Sequence, residues 1–104
     1  MVQYLSGPDI AGFYNTVGAS TTGTFSATQG SATGAKGDYL DSLTIVASAA
    51  PGVFTLLDGG TTVMTYTPAA NSASNLFIRA YSKVGAWNVS TGATTNVVAV
   101  GKFT

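Results

Sequence analysis

After Asp38, apolar residues collect in short runs of strand-forming types between clusters of turn residues, the pattern of β-strands. The segments that carry it are Tyr39–Ala47, Val53–Leu57, Thr61–Thr67, Leu76–Ser82, Ala86–Thr91 and Thr95–Phe103. Pro51-Gly52, Gly59-Gly60, the run from Pro68 to Ser74, Val84-Gly85 and Gly92 separate them. Helix formers are scarce: there is no glutamate, and Gly, Thr and Val recur throughout. Short strands at this spacing predict an antiparallel sandwich or small barrel. The expected class is all-β, an antiparallel β-sandwich, jelly-roll-like, with an extended N-terminal arm.

The stretch FTLLDGGTTVMTY (Phe54–Tyr66) predicts a hairpin turning on Gly59-Gly60. A two-residue glycine loop suits a type I′ turn, whose two central residues both need positive φ. Pairing outward from it sets Leu57 opposite Thr62, Leu56 opposite Val63 and Phe54 opposite Thr65. Phe54, Leu56 and Val63 then share one face, and Val53, Leu57, Met64 and Tyr66 the other. Both faces are largely apolar. Either the hairpin is buried on both sides within the chain, or a neighbouring subunit covers one side. The segment from Leu76 has one face of Leu76, Ile78 and Ala80 and another of Phe77, Arg79 and Tyr81. In the last segment Val97, Ala99 and Phe103 face away from Val98, Val100 and Lys102.

Residues 1–37 read differently. Gly18–Gly37 is small, polar and glycine-rich, with Phe25 as its sizeable apolar anchor. It cannot bury enough surface to fold alone. The expected division is an extended N-terminal arm with Gly/Thr/Ser-rich loops over 1–37 and a β-sandwich domain over 38–104. A short strand around Thr22–Thr28 is compatible with the arm, and Ile10–Val17 could add a strand or dock as an anchor.

The 104 residues suffice for one small domain with one core. Charged residues make up 8% of the chain, against roughly 25% in a typical soluble domain, and the net charge is zero. Nucleic acid needs clustered Lys and Arg, so it is not an expected partner. Such a chain suits a protein fixed inside an assembly. No apolar run reaches the ~18 residues needed to span a bilayer, and MVQYLSGPDI lacks the basic and apolar regions of a signal peptide. Asn88-Val89-Ser90 matches the glycosylation sequon by chance.

There is no cysteine and no histidine. This removes disulfides, cysteine nucleophiles, most zinc sites and histidine general bases. Asp58-Gly59-Gly60 lacks the further oxygen ligands of a calcium loop and reads as a turn. Gly30–Gly37 fails as a phosphate loop, since Lys36 follows Gly34 by two and no helix pattern comes after it. Asp38 and Asp41 point to opposite faces of a strand and make no carboxylate pair. Asp38 reads as a solvated strand start, and Asp41 as a partner for Arg79 or Lys83. No nucleophile elbow is present. The chain is expected to be no enzyme and to hold no cofactor or metal. Trp87, with Tyr81, Asn88 and Arg79, offers either a sugar-stacking platform or a core or interface aromatic.

Three phrases carry a resemblance: Gly37-Asp38 leading to Leu43-Thr44-Ile45, Pro51-Gly52 leading to Leu56 and Asp58-Gly59, and Trp87-x-Val89-x-Thr91-Gly92 with a closing strand. In these the chain resembles small structural proteins of tailed phages, of the capsid decoration (cement) type. The N-terminal third carries no matching phrase. The resemblance implies a β-sandwich on the outer surface of an icosahedral capsid, made in the host bacterial cytoplasm, often a homotrimer, that bridges major capsid proteins and stabilises the shell.

On this reading the arm, Met1–Val17, lies along a neighbour. Tyr4, Leu5, Ile10, Phe13 and Tyr14 are its capsid or subunit contacts, and deleting it should leave the β domain folded. Tyr81 and Trp87 are the candidate interface or glycan contacts. The alternative is a receptor- or glycan-binding module of a phage fibre, or another tail or connector component.

Overall fold

A computed structural model describes residues 13–104. They form eight strands: β1 (Phe13–Val17), β2 (Thr22–Thr24), β3 (Tyr39–Ala47), β4 (Phe54–Asp58), β5 (Thr61–Tyr66), β6 (Ser72–Tyr81), β7 (Trp87–Ser90) and β8 (Thr95–Lys102). Two four-stranded antiparallel sheets pack face to face, in the orders β1-β8-β3-β6 and β2-β7-β4-β5. The first strand lies beside the last, the second beside the seventh, the third beside the sixth and the fourth beside the fifth. This nested pairing is the topology of an eight-stranded jelly roll. The sandwich expected from the sequence is thus present, in its jelly-roll form.

The core fills from alternate positions of both sheets. Leu40, Leu43, Ile45, Val97 and Ala99 come from the first sheet, and Phe54, Leu56, Trp87 and Val89 from the second. Phe25 enters from the β2–β3 loop, fully buried, with its ring 5.4 Å from that of Phe103.

The division at residue 37 is not a boundary of this fold. β1 pairs with β8 and β2 with β7, so residues 13–37 belong to the sandwich. Val17 and Asn15 are buried. Asn15 Nδ2 donates to the Ser26 carbonyl (2.8 Å), and Ser26 N–H donates to Asn15 Oδ1 (3.3 Å). The stretch that cannot fold alone folds against strands distant in sequence. Deleting Met1–Val17 would remove an edge strand, so an arm that could be deleted cleanly ends by residue 12.

The β4–β5 hairpin departs from its expected register. Leu57 does pair with Thr62, but a bulge then sets Leu56 opposite Met64 and Phe54 opposite Tyr66. Only Gly59 of the glycine pair has positive φ (59°), so the turn is not type I′. The slip matters because one residue reverses every facing. Met64 and Tyr66 pack against the core, and Val63 turns out to solvent at 50% exposure. The outer side of the hairpin therefore carries Thr55, Leu57, Thr62, Val63 and Thr65, which is less apolar than expected.

Candidate functional site

Two aspartates expected to be peripheral are structural. Asp58 Oδ2 accepts the Lys83 amide at 2.7 Å, and Oδ1 accepts those of Val84 and Gly85, each at 3.1 Å. Burial alone would raise its pKa; the three amides and the Lys83 charge outweigh that and hold it below the ordinary carboxylate value. Gly59 sits against Gly85, where a Cβ on Gly59 would come within 3.1 Å of the Gly85 nitrogen. The Asp-Gly-Gly turn thus clamps the β6–β7 loop. Asp38 is buried rather than solvated, and its carboxylate accepts the amides of Ala35 and Thr104 and the Thr104 hydroxyl.

Trp87 is 3% exposed, and its indole N–H donates to the Asp38 carbonyl at 2.9 Å. It is a core aromatic and offers no face to a sugar. Asn88 Nδ2 donates to the carbonyls of Gly59 (2.9 Å) and Ala86 (3.2 Å), so the sequon nitrogen is occupied within the fold. Among the described residues no three His, Cys, Asp or Glu side chains form a group able to hold a metal ion.

What the fold does assemble is a surface. On the outer side of β1-β8-β3-β6, the register aligns Tyr14, Val100, Ser42 and Phe77 in one row across all four strands. Tyr14 is 70% and Phe77 64% exposed. Three inter-strand gaps of ~4.8 Å separate them, about 14 Å. The row above holds Lys102, Tyr39 and Tyr81. The rings of Tyr39 and Tyr81 are 5.1 Å apart, with Tyr81 69% exposed. Below, Val98 and half-exposed Val46 continue the apolar surface.

Between the rows lies Arg79, whose guanidinium stands 4.8 Å over the Phe77 ring and 3.8 Å from Asp41 Oδ1. Asp41 also accepts the Tyr39 hydroxyl at 3.3 Å. The Tyr39 phenol is held above its ordinary pKa, first by desolvation and then by the Asp41 charge. The Arg79–Asp41 pair is exposed and adds little stability. The opposite sheet presents a different outer side: Thr22, Thr24, Thr55, Thr62, Thr65, Asn88 and Ser90, with Leu57 and Val63.

Of the expected contact residues, Tyr14 and Tyr81 share this face. Phe13 lies at the start of β1 with inward parity and 46% exposure. Tyr4, Leu5 and Ile10 lie outside the described residues. Phe77 and Val46 belong to the face but were not singled out as contacts, although the alternation of the Leu76 segment had placed Phe77, Arg79 and Tyr81 together. No family model, curated protein or solved structure gives a match to this chain.

Proposed function

We propose that the protein is a non-enzymatic virion component of a tailed phage, a capsid decoration protein that docks through the outer face of β1-β8-β3-β6. The observation that carries this reading is the contrast between the two outer faces, one rich in exposed aromatics and the other in threonine. A stripe about 14 Å wide suits a macromolecular surface better than a small ligand, which a flat sheet gives no concavity to hold. Exposed aromatics with an arginine among them are the usual anchors of protein interfaces. The partner is the major capsid protein, with homotrimers at the shell surface as the resemblance implies. Many modest contacts repeated over a lattice then reinforce the shell.

The test is sedimentation of the purified protein with mature heads lacking it and, in parallel, with host cells. Saturable binding to heads, lost in Phe77→Ser/Tyr81→Ser, is the expected result. Binding to cells alone, or head binding indifferent to that double variant, refutes the proposal. A fibre module that binds glycan is favoured by one observation: Tyr81 and Tyr39 stand beside Asp41 and Arg79, an aromatic platform with hydroxyl-binding groups. Glycan-array binding that disappears in Tyr81→Ala would establish that second reading instead.

A further inference from the structure

β1 and β2 are edge strands of the two sheets, joined by a short turn. A trough of about 320 Å³ opens beside them, lined from Asn15 to Gly18, from Thr21 to Thr24, and by Gln29, Gly30 and Ala32. Among the described residues, both walls are edge strands of their sheets. On either side of β2, Thr21 C=O accepts the Thr91 N–H and Phe25 N–H donates to the Trp87 carbonyl, so the alternating ladder turns the backbone groups of Thr22 and Thr24 away from β7. In β1, Thr16 N–H donates to Gln29 Oε1 (2.8 Å), and Gln29 Nε2 donates to the Thr16 carbonyl (2.9 Å). A carboxamide is chemically a peptide group. Gln29 makes with Thr16 the reciprocal pair of bonds that a neighbouring antiparallel strand would make.

We propose that this trough is a seat for an extended segment of a partner protein, which adds as a strand to the outer edge of β1 by displacing the Gln29 side chain. The occupant is an extended peptide because the exposed chemistry is main-chain chemistry, and one side-chain amide already stands in for it. Its side chains are small and uncharged, since the described residues that line the walls are Thr, Gly, Ala, Val, Asn and Gln, none of them charged. Gln29 and Thr16 are exposed, so the Gln29 carboxamide can leave the position by a rotamer change while Asn15 keeps its loop anchored at Ser26. The other long edges are less suited. β6 is interrupted by an irregularity at Arg79 and β5 by the bulge beside Val63. The inference does not rest on placing the protein on a capsid.

The test is selection of short random displayed peptides on the immobilised full chain, followed by synthesis of the recovered sequences. Bound peptides should slow amide exchange at Tyr14 and Thr16. Gln29→Ala, which leaves Thr16 uncontested, should tighten binding about tenfold. Thr16→Pro deletes the edge N–H where an edge strand tolerates proline, and should weaken binding at least about tenfold. Alternate N-methylation of the peptide should abolish binding with the protein unaltered, which keeps the test decisive should Thr16→Pro fail to fold. Recovery of no peptide refutes the proposal. So do peptides that ignore N-methylation or are lost with Phe77→Ser/Tyr81→Ser. A failure of head binding refutes only the capsid reading and leaves these outcomes readable.

Discussion

Asp58→Asn keeps the shape of the side chain and removes its charge. The carboxamide oxygen can still accept Val84 and Gly85 N–H, but the amino group then faces the Lys83 N–H, which Asp58 now accepts at 2.7 Å. One charge-assisted bond, ~1.5–3 kcal/mol, is lost, and the two others weaken toward neutral bonds. Solvent reaching the loop offsets part of this, leaving a net loss of about 2–3 kcal/mol. With an unfolding entropy of roughly 2.1 cal/mol/K per residue over 104 residues, this lowers Tm by about 9–14 °C.

The pH dependence separates charge from packing. The folded-state pKa of Asp58 lies below its unfolded value. Its contribution is therefore complete above the unfolded value of about 3.9 and is lost as pH falls through the folded value. Urea unfolding of both proteins, followed by circular dichroism, should show the full gap near neutral pH and a closing gap in acid. A neutral-pH difference under about 0.5 kcal/mol, the range of ordinary surface substitutions, would refute the reasoning. So would a gap that stays constant from neutral pH down through the acid range.

Phe25→Ala should cost about 3–5 kcal/mol in urea unfolding, because it empties a fully buried ring site against Phe103. Arg79→Gly should raise stability by about 0.5–1 kcal/mol, since Arg79 holds φ at 50° inside a strand; an unchanged or lower unfolding midpoint would show that no strain is stored there. A chain starting at residue 13 should give the cooperative unfolding of the full protein, and one starting at residue 18 should lose it or melt far lower, since Asn15 and Val17 go with β1.

The strands from β3 onward were legible because each is a short run of strand-forming residues bounded by Gly, Pro, Ser or Asn, and β4, β7 and β8 bury every second residue. β3 lies at its expected bounds, and most of the others differ by a residue or so. β6 begins earlier than expected, at Ser72, since Ser and Ala in NSASN carry no strand signal and are held there by pairing with Thr44–Ala47. β1 and β2 were weak in the sequence for a related reason. Their partners β8 and β7 lie far along the chain, and a polar, glycine-rich segment gains its structure only from them. The hairpin turn was legible and its register was not, because a bulge leaves no local signature. The roles of Asp38 and Asp58 were invisible for a physical reason. Their partners are mostly main-chain amides, which every residue but proline has, at separations of up to 66 positions. The face of Phe77, Arg79 and Tyr81 could be read from alternation alone; its continuation to Tyr14 needed the strand order.

Arg79 links the face to the edges. β6 is the longest strand, ten residues, and it is an edge strand. A flat edge of that length invites pairing with another chain. Between the pairs Leu40–Ala80 and Ser42–Phe77, β6 spends two residues where β3 spends one, and Arg79 takes up the difference at positive φ. A non-glycine residue there costs roughly 1–2 kcal/mol. Glycine would take the same conformation without that penalty but would supply no guanidinium over Phe77 and no partner for Asp41. The strained residue thus interrupts an edge and places a cation in the aromatic face. On β1, where no bulge interrupts the edge, a glutamine side chain that can swing away covers it instead. One edge is closed by backbone geometry and the other by a removable side chain, which is why the proposed strand addition is placed at β1 and the proposed docking by side chains on the face that holds Arg79.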